Sequence, residues 1–274
     1  MSKTVGWTLT GALALAAGLS TPAFTQQASD ALAPEIASGI QDKAIVTAEK
    51  EMVAAANPLA AEAGLEVLRQ GGSAADALVA VQSILGLVEP QSSGIGGGAF
   101  LVWFDGETGE VTTFDGRETA PMAASQDLFL DENGEPLAFF DAVIGGRSVG
   151  TPGVVRLMET AHERFGSLEW AELFQPAIEL AENGFEVSPR LHALIEADRG
   201  KLDQEATARD YFYDDAGEPL AAGSPLQNAD YANTLRAIAE GGADAFYTGE
   251  IAQEIVDAVR EHPTNPGLLT LEDL

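Results

Sequence analysis

Residues 52–105 read MVAAANPLAAEAGLEVLRQGGSAADALVAVQSILGLVEPQSSGIGGGAFLVWFD. Over 58–70, Leu59, Ala63, Leu65, Val67 and Leu68 are interleaved with Glu62, Glu66 and Arg69 at helical spacing. Asn57 ahead supplies an N-cap and Pro58 suits the first helical position. Gly71-Gly72 ends that helix. Ser73 then caps a second helix over 74–88, whose lack of a polar face predicts burial all round. A glycine-rich turn, 93–98, leads into AFLVWF at 99–104, and Asp105–Glu110 joins it to a second run at 111–114. That order predicts a hairpin, and the unbroken apolar run predicts a first strand covered on both faces.

Outward from this stretch the pattern turns mostly helical. Helices are expected over 154–164, 168–182, 189–198, 231–240 and 250–260, each bounded by Gly, Pro, Ser or Asn. Two acidic segments, Asp131–Pro136 and Asp214–Pro219, lack the alternating carboxylates and terminal Glu of a calcium loop and read as plain turns. No low-complexity linker divides the chain.

Composition narrows the function. The 274 residues are 46% hydrophobic, enough for a real core, and carry 14 Lys and Arg against 43 Asp and Glu, a net charge of −29. Such a surface repels phosphate backbones and anionic membranes, so nucleic-acid and polybasic lipid roles are disfavoured. With no Cys, thiolate catalysis, disulfides and Cys-built metal sites are excluded, and three His leave little for an imidazole site. No metal or cofactor is implied.

At the N-terminus Lys3 precedes an uncharged run from Val5 to Leu19 that gives way to small and polar residues. This is the order of a secretory signal over 1–28, and about 15 apolar residues fall short of the ~20 of a spanning helix. The expectation is a periplasmic or secreted protein without stable membrane insertion, an uncleaved anchor being the competing reading.

Three motifs are candidates for chemistry. Gln91–Gly98 is glycine-rich, but a phosphate loop needs a strand before and a helix after, and here the order is reversed. Gly146-Arg147-Ser148-Val149-Gly150 fits a nucleophile elbow, with 139–144 as its entering strand and His262 as the available downstream base. A turn joining strand to helix is the plainer reading, since Thr151-Pro152-Gly153 marks a later helix start. Asp115-Gly116-Arg117-Glu118 follows the second strand, and Arg117 there suits bidentate binding of a substrate carboxylate. A strand-end salt bridge with Glu118 or Asp115 is the alternative.

The stretch 52–105 closely resembles the gamma-glutamyltransferase, or glutathione hydrolase, family. The likeness continues in DGRETAP (115–121), GTPG (150–153), QPAIELAENGFEVSPRL (175–191) and LRAIAEGGADAFYTGEIA (235–252). It implies an α/β fold, the αββα sandwich of N-terminal nucleophile hydrolases, represented over 29–274 by part of the large subunit. It also implies a precursor that cleaves itself, and a small subunit whose N-terminal threonine attacks the γ-glutamyl carbonyl with its own amine as base. Glutathione is the donor such a family implies. The resemblance places that threonine beyond Leu274, so no catalytic nucleophile is expected within these residues. Arg117 matches the family arginine that holds the α-carboxylate of the γ-glutamyl group. A relative with cephalosporin acylase specificity would share the scaffold. A binding module without catalysis and a serine hydrolase using Ser148 are the alternatives from other classes.

Overall fold

The computed structural model describes residues 44–274; the expected signal segment, 1–28, lies outside them. Helix α1 (Pro58–Arg69) begins at Asn57, whose side chain accepts the Leu59 N–H, and α2 (Ala74–Val88) begins at Ser73 in a reciprocal cap with Asp76. Strands β1 (Ala99–Phe104) and β2 (Val111–Gly116) pair antiparallel, Ala99 opposite Gly116 and Phe104 opposite Val111. Then follow α3 (Phe139–Val143), α4 (Val154–Phe165), α5 (Gln175–Asn183), β3 (Phe185–Glu186), α6 (Pro189–Ala197) and α7 (Ala206–Phe212). Strand β4 (Pro225–Leu226), which pairs with β3, and helices α8 (Ala229–Gly241), α9 (Asp244–Tyr247) and α10 (Gly249–Arg260) complete the order.

Helix α2 is the hub. It packs against α1, α4, α5 and the 3-10 turn Trp170–Phe174, burying Val79, Ala80, Ile84, Leu87 and Val88. Burying one such Val, Ile or Leu side chain stabilises the fold by about 1.5–3 kcal/mol, so this helix anchors the helical layer that includes α4. Two carboxylates lie inside. Asp76 accepts the N–H groups of Ser73 and Ser167, tying the loop after α4 to the start of α2. Glu89 accepts from Asn57, Gln91 and Arg190, joining the entry of α1, the exit of α2 and α6.

Three expectations are corrected. Strand β1 is covered on one face only: Phe100, Val102 and Phe104 are 65%, 69% and 65% exposed, while Trp103 turns inward and stacks on Phe165 of α4 at 4.2 Å between ring centroids. An all-apolar strand does not reveal which face has a neighbour, and among the described residues α4 covers one face of the hairpin. The helix expected over 168–182 is a 3-10 turn followed by α5, because Pro176 lacks the N–H that would continue the ladder. The strand expected over 139–144 is α3, a short apolar run being ambiguous between the two states. The two acidic segments are matched turns in which Asp131 and Asp214 each accept backbone N–H groups two and four residues ahead.

Candidate active site

The end of β2 is where the chain's distant parts meet. Gly98 lies beside Gly116 because Ala99 and Gly116 are paired. A β-carbon on Gly98 would stand 2.6 Å from the Gly116 carbonyl oxygen and 2.8 Å from both the Glu118 nitrogen and Oε2. Only glycine permits that approach. The Gly97 carbonyl accepts the N–H groups of Gly153 and Val154 at the start of α4, at 3.0 and 3.1 Å. One residue farther along, Thr119 and Thr151 exchange backbone hydrogen bonds of 3.3 and 2.8 Å. The glycine turn thus packs backbone on backbone.

Arg117 stands within this frame. Its N–H donates to Asp115 Oδ1 at 3.0 Å, turning the chain out of the strand. Its guanidinium is 69% exposed, with Nε 3.3 Å from Glu118 Oε2. An exposed pair of this kind is worth at most about 1 kcal/mol. Of the two readings for Arg117, the geometry shows the strand-end salt bridge with Glu118.

Arg117 and Glu118 line a cavity of about 460 Å³ together with Phe129, Arg147, Ser148 and Gly150. The segment 270–273 is tied to Met122 and Thr151, both next to cavity-lining residues. Asp273 accepts the Met122 N–H at 2.7 Å and both the N–H and hydroxyl of Thr270, while the Thr151 hydroxyl donates to the Asp273 carbonyl at 2.9 Å. Those donors, the Met122 N–H foremost, hold the Asp273 carboxyl below the usual carboxylate range.

Ser148 is in a different setting from an elbow nucleophile. A 3-10 turn, Gly146–Ser148, follows α3 rather than a strand, and the Ser148 hydroxyl donates to the Val143 carbonyl at 2.8 Å. His262 is engaged at both nitrogens, Nε2 with Glu205 and Nδ1 with the Asn265 N–H. Among the described residues His262, the base the motif would need, is engaged elsewhere, and the Ser148 hydroxyl bonds to the Val143 carbonyl. Among the described residues no group of acidic or imidazole side chains has a metal-site arrangement, and no helix is long and apolar enough to cross a membrane.

Arg147 was read only as a turn residue. Its Nε donates to Asn265 Oδ1 at 2.7 Å and Nη1 to the Leu128 carbonyl at 3.0 Å. The available signal was a second arginine inside a glycine-bounded turn, which sequence does not distinguish from a surface charge.

The family model described as gamma-glutamyltranspeptidase matches residues 60–274. The chain is 43% identical to the glutathione hydrolase proenzyme of Bacillus subtilis (strain 168) over 81% of its own length, but spans 37% of that relative's length. It is 35% identical to the glutathione hydrolase proenzyme of Escherichia coli (strain K12), over 96% of this chain and 44% of that one. The crystal structure of Helicobacter pylori gamma-glutamyltranspeptidase superposes with a TM-score of 0.79 at 33% identity, over 84% of this chain and 64% of that one.

Proposed function

Because the chain belongs to the gamma-glutamyltranspeptidase family and shares its N-terminal nucleophile hydrolase fold, we propose that it forms the α-carboxylate-binding wall of an enzyme that transfers or hydrolyses γ-glutamyl groups. Glutathione is the donor this reading favours. The observation that carries it is Arg117, an accessible guanidinium at a strand end packed among glycines, beside a cavity. A planar fork there binds the donor's α-carboxylate through two parallel N–H···O bonds and fixes where the γ-carbonyl points.

The remaining chemistry comes from residues beyond these 274. A threonine hydroxyl freed by autoprocessing attacks the γ-carbonyl, its own α-amine takes the hydroxyl proton, and the amide nitrogen leaves as an amine carrying that proton. Water or an amino acid then takes the acyl group. On this reading the 274 residues alone turn over no γ-glutamyl anilide. Residues 1–28 direct export to the periplasm or beyond, and 29–274 are the large-subunit portion. The bare apolar face of Phe100, Val102 and Phe104 favours a covering partner, and the small subunit of the same precursor is the proposed one.

Arg117→Lys in the full precursor tests the assignment. Lysine keeps the charge but loses the fork. A hydrogen bond to a charged group is worth about 1.5–3 kcal/mol, so donor kcat/KM falls roughly 10- to 150-fold while processing continues. A variant that processes normally and stays within about twofold of the parent makes Arg117 a structural arginine.

A further inference from the structure

Arg147 and Arg117 line the same cavity, yet their surroundings differ. Arg147 is half-buried and rigidly mounted. Its N–H donates to the Asn265 carbonyl at 3.1 Å, and Asn265, itself buried, donates through Nδ2 to the Ile144 carbonyl at 2.7 Å. Gly146 beneath it packs against the backbone of Gly267 so closely that a β-carbon there would stand 2.7 Å from the Gly267 nitrogen.

Of the five guanidinium N–H groups, one on Nε and one on Nη1 go to neutral acceptors, the Asn265 amide and the Leu128 carbonyl. Among the described residues no carboxylate pairs with Arg147, whereas the other half-buried arginines, Arg190 and Arg236, pair with Glu89 and Glu182. In a chain of net charge −29, such a cation lacking a carboxylate partner is out of keeping with its neighbours. Desolvating a charge without a counter-ion costs stability, so a partner supplied from outside the described chain accounts for it economically. The anchored side chain has little rotamer entropy left to lose on binding one.

We propose that Arg147 is a specificity-determining residue that binds a second carboxylate, the one carried on the leaving group of the γ-glutamyl donor. The inference rests on the γ-glutamyl reading of Arg117. One guanidinium takes the α-carboxylate and the other the far end of a peptide donor, so the cavity selects donors with an anionic leaving group over neutral ones.

The test compares γ-glutamylglycine with γ-glutamylglycinamide on the processed full-length enzyme. The two differ only in a terminal carboxylate against an uncharged amide. The wild type is expected to favour the carboxylate donor about tenfold or more in kcat/KM, the scale of a charge-assisted hydrogen bond. Arg147→Gln is expected to bring that ratio close to one, and Arg147→Lys to lower it by about threefold or more through loss of the fork. A wild-type ratio below about twofold overturns the proposal, as does a ratio kept in full by either variant. Should Arg147→Gln fail to process, the wild-type ratio and the Lys variant decide. Arg117→Lys separates the two readings, because it lowers both donors alike if the α-carboxylate assignment holds. Absence of turnover with both donors in the wild type overturns that reading and this one together.

Discussion

Replacing Gly98 by alanine puts one methyl group into the tightest part of the site wall. The new carbon stands 2.6 Å from the Gly116 carbonyl oxygen and 2.8 Å from the Glu118 nitrogen, the residues on either side of Arg117. Those separations fall roughly 1 Å short of ordinary van der Waals contact. Both are backbone atoms, so a rotamer change cannot relieve them, and the backbone of Gly98 does not fall in the left-handed region. The overlap is therefore purely steric. Overpacking of this size costs about 1–3 kcal/mol. Relief requires the end of β2 to retreat, carrying Arg117 with it, and misplacing a positioning group by about 1 Å can lower turnover about 100-fold. The assay is thermal unfolding together with donor kcat/KM on the processed enzyme. Gly106→Ala, in the hairpin turn with open space around it, serves as the control. A Gly98→Ala enzyme that melts with the parent and keeps kcat/KM within about threefold would refute the claim that glycine packing positions Arg117.

Glu89→Ala removes the buried acceptor shared by Asn57, Gln91 and Arg190 and is expected to cost about 1–3 kcal/mol, read from urea midpoints, with Glu89→Gln costing less. Replacing Phe100, Val102 and Phe104 together by threonine removes exposed apolar surface. The isolated 274-residue chain should then aggregate less while the full precursor processes poorly; unchanged processing would disprove a partner on that face. Asp273 gives a pH dependence of definite sign. Its carboxyl is held low, so its grip on Met122 is complete above the unfolded value near pH ~4 and is lost as pH falls through the lower folded value. The protection factor of the Met122 amide, its exchange rate relative to the intrinsic rate at the same pH, should be high at pH 5 and fall in more acid solution, and equal protection at both would count against the clasp.

The parts legible in the sequence are those where a local signal and the global packing agree. Asn57-Pro58 and Ser73 mark helix starts with their own side chains, and Ala74–Val88 announces its burial by lacking a polar face. The 3.6-residue period likewise gives α4 and α10 their bounds to within a residue. What escaped depends on neighbours distant along the chain. Val102 and Trp103 are equally apolar, and only α4 on one side tells them apart. Nothing local in the sequence shows what pairs with Asp76 and Glu89, since Ser167 and Arg190 arrive from 91 and 101 residues away. For Arg117 the strand-end salt bridge with Glu118 was legible, while its proposed carboxylate role rests on the family motif. The setting of Arg147 was not legible, because nothing in Gly-Arg-Ser tells that Asn265 lies beside it, 118 residues later.

The bond between Met122 and Asp273 also constrains the order in which the molecule assembles. It joins residues 151 apart in sequence, and closing a flexible loop of that length carries an entropic cost of roughly 4 kcal/mol. A charge-assisted hydrogen bond returns about 1.5–3 kcal/mol, less than the closure alone requires. The contact therefore cannot nucleate folding; it waits until α1, α2 and the hairpin, whose partners are near in sequence, have brought the two ends together. The clasp is a late product of folding, formed only when nearly the whole chain is already in place.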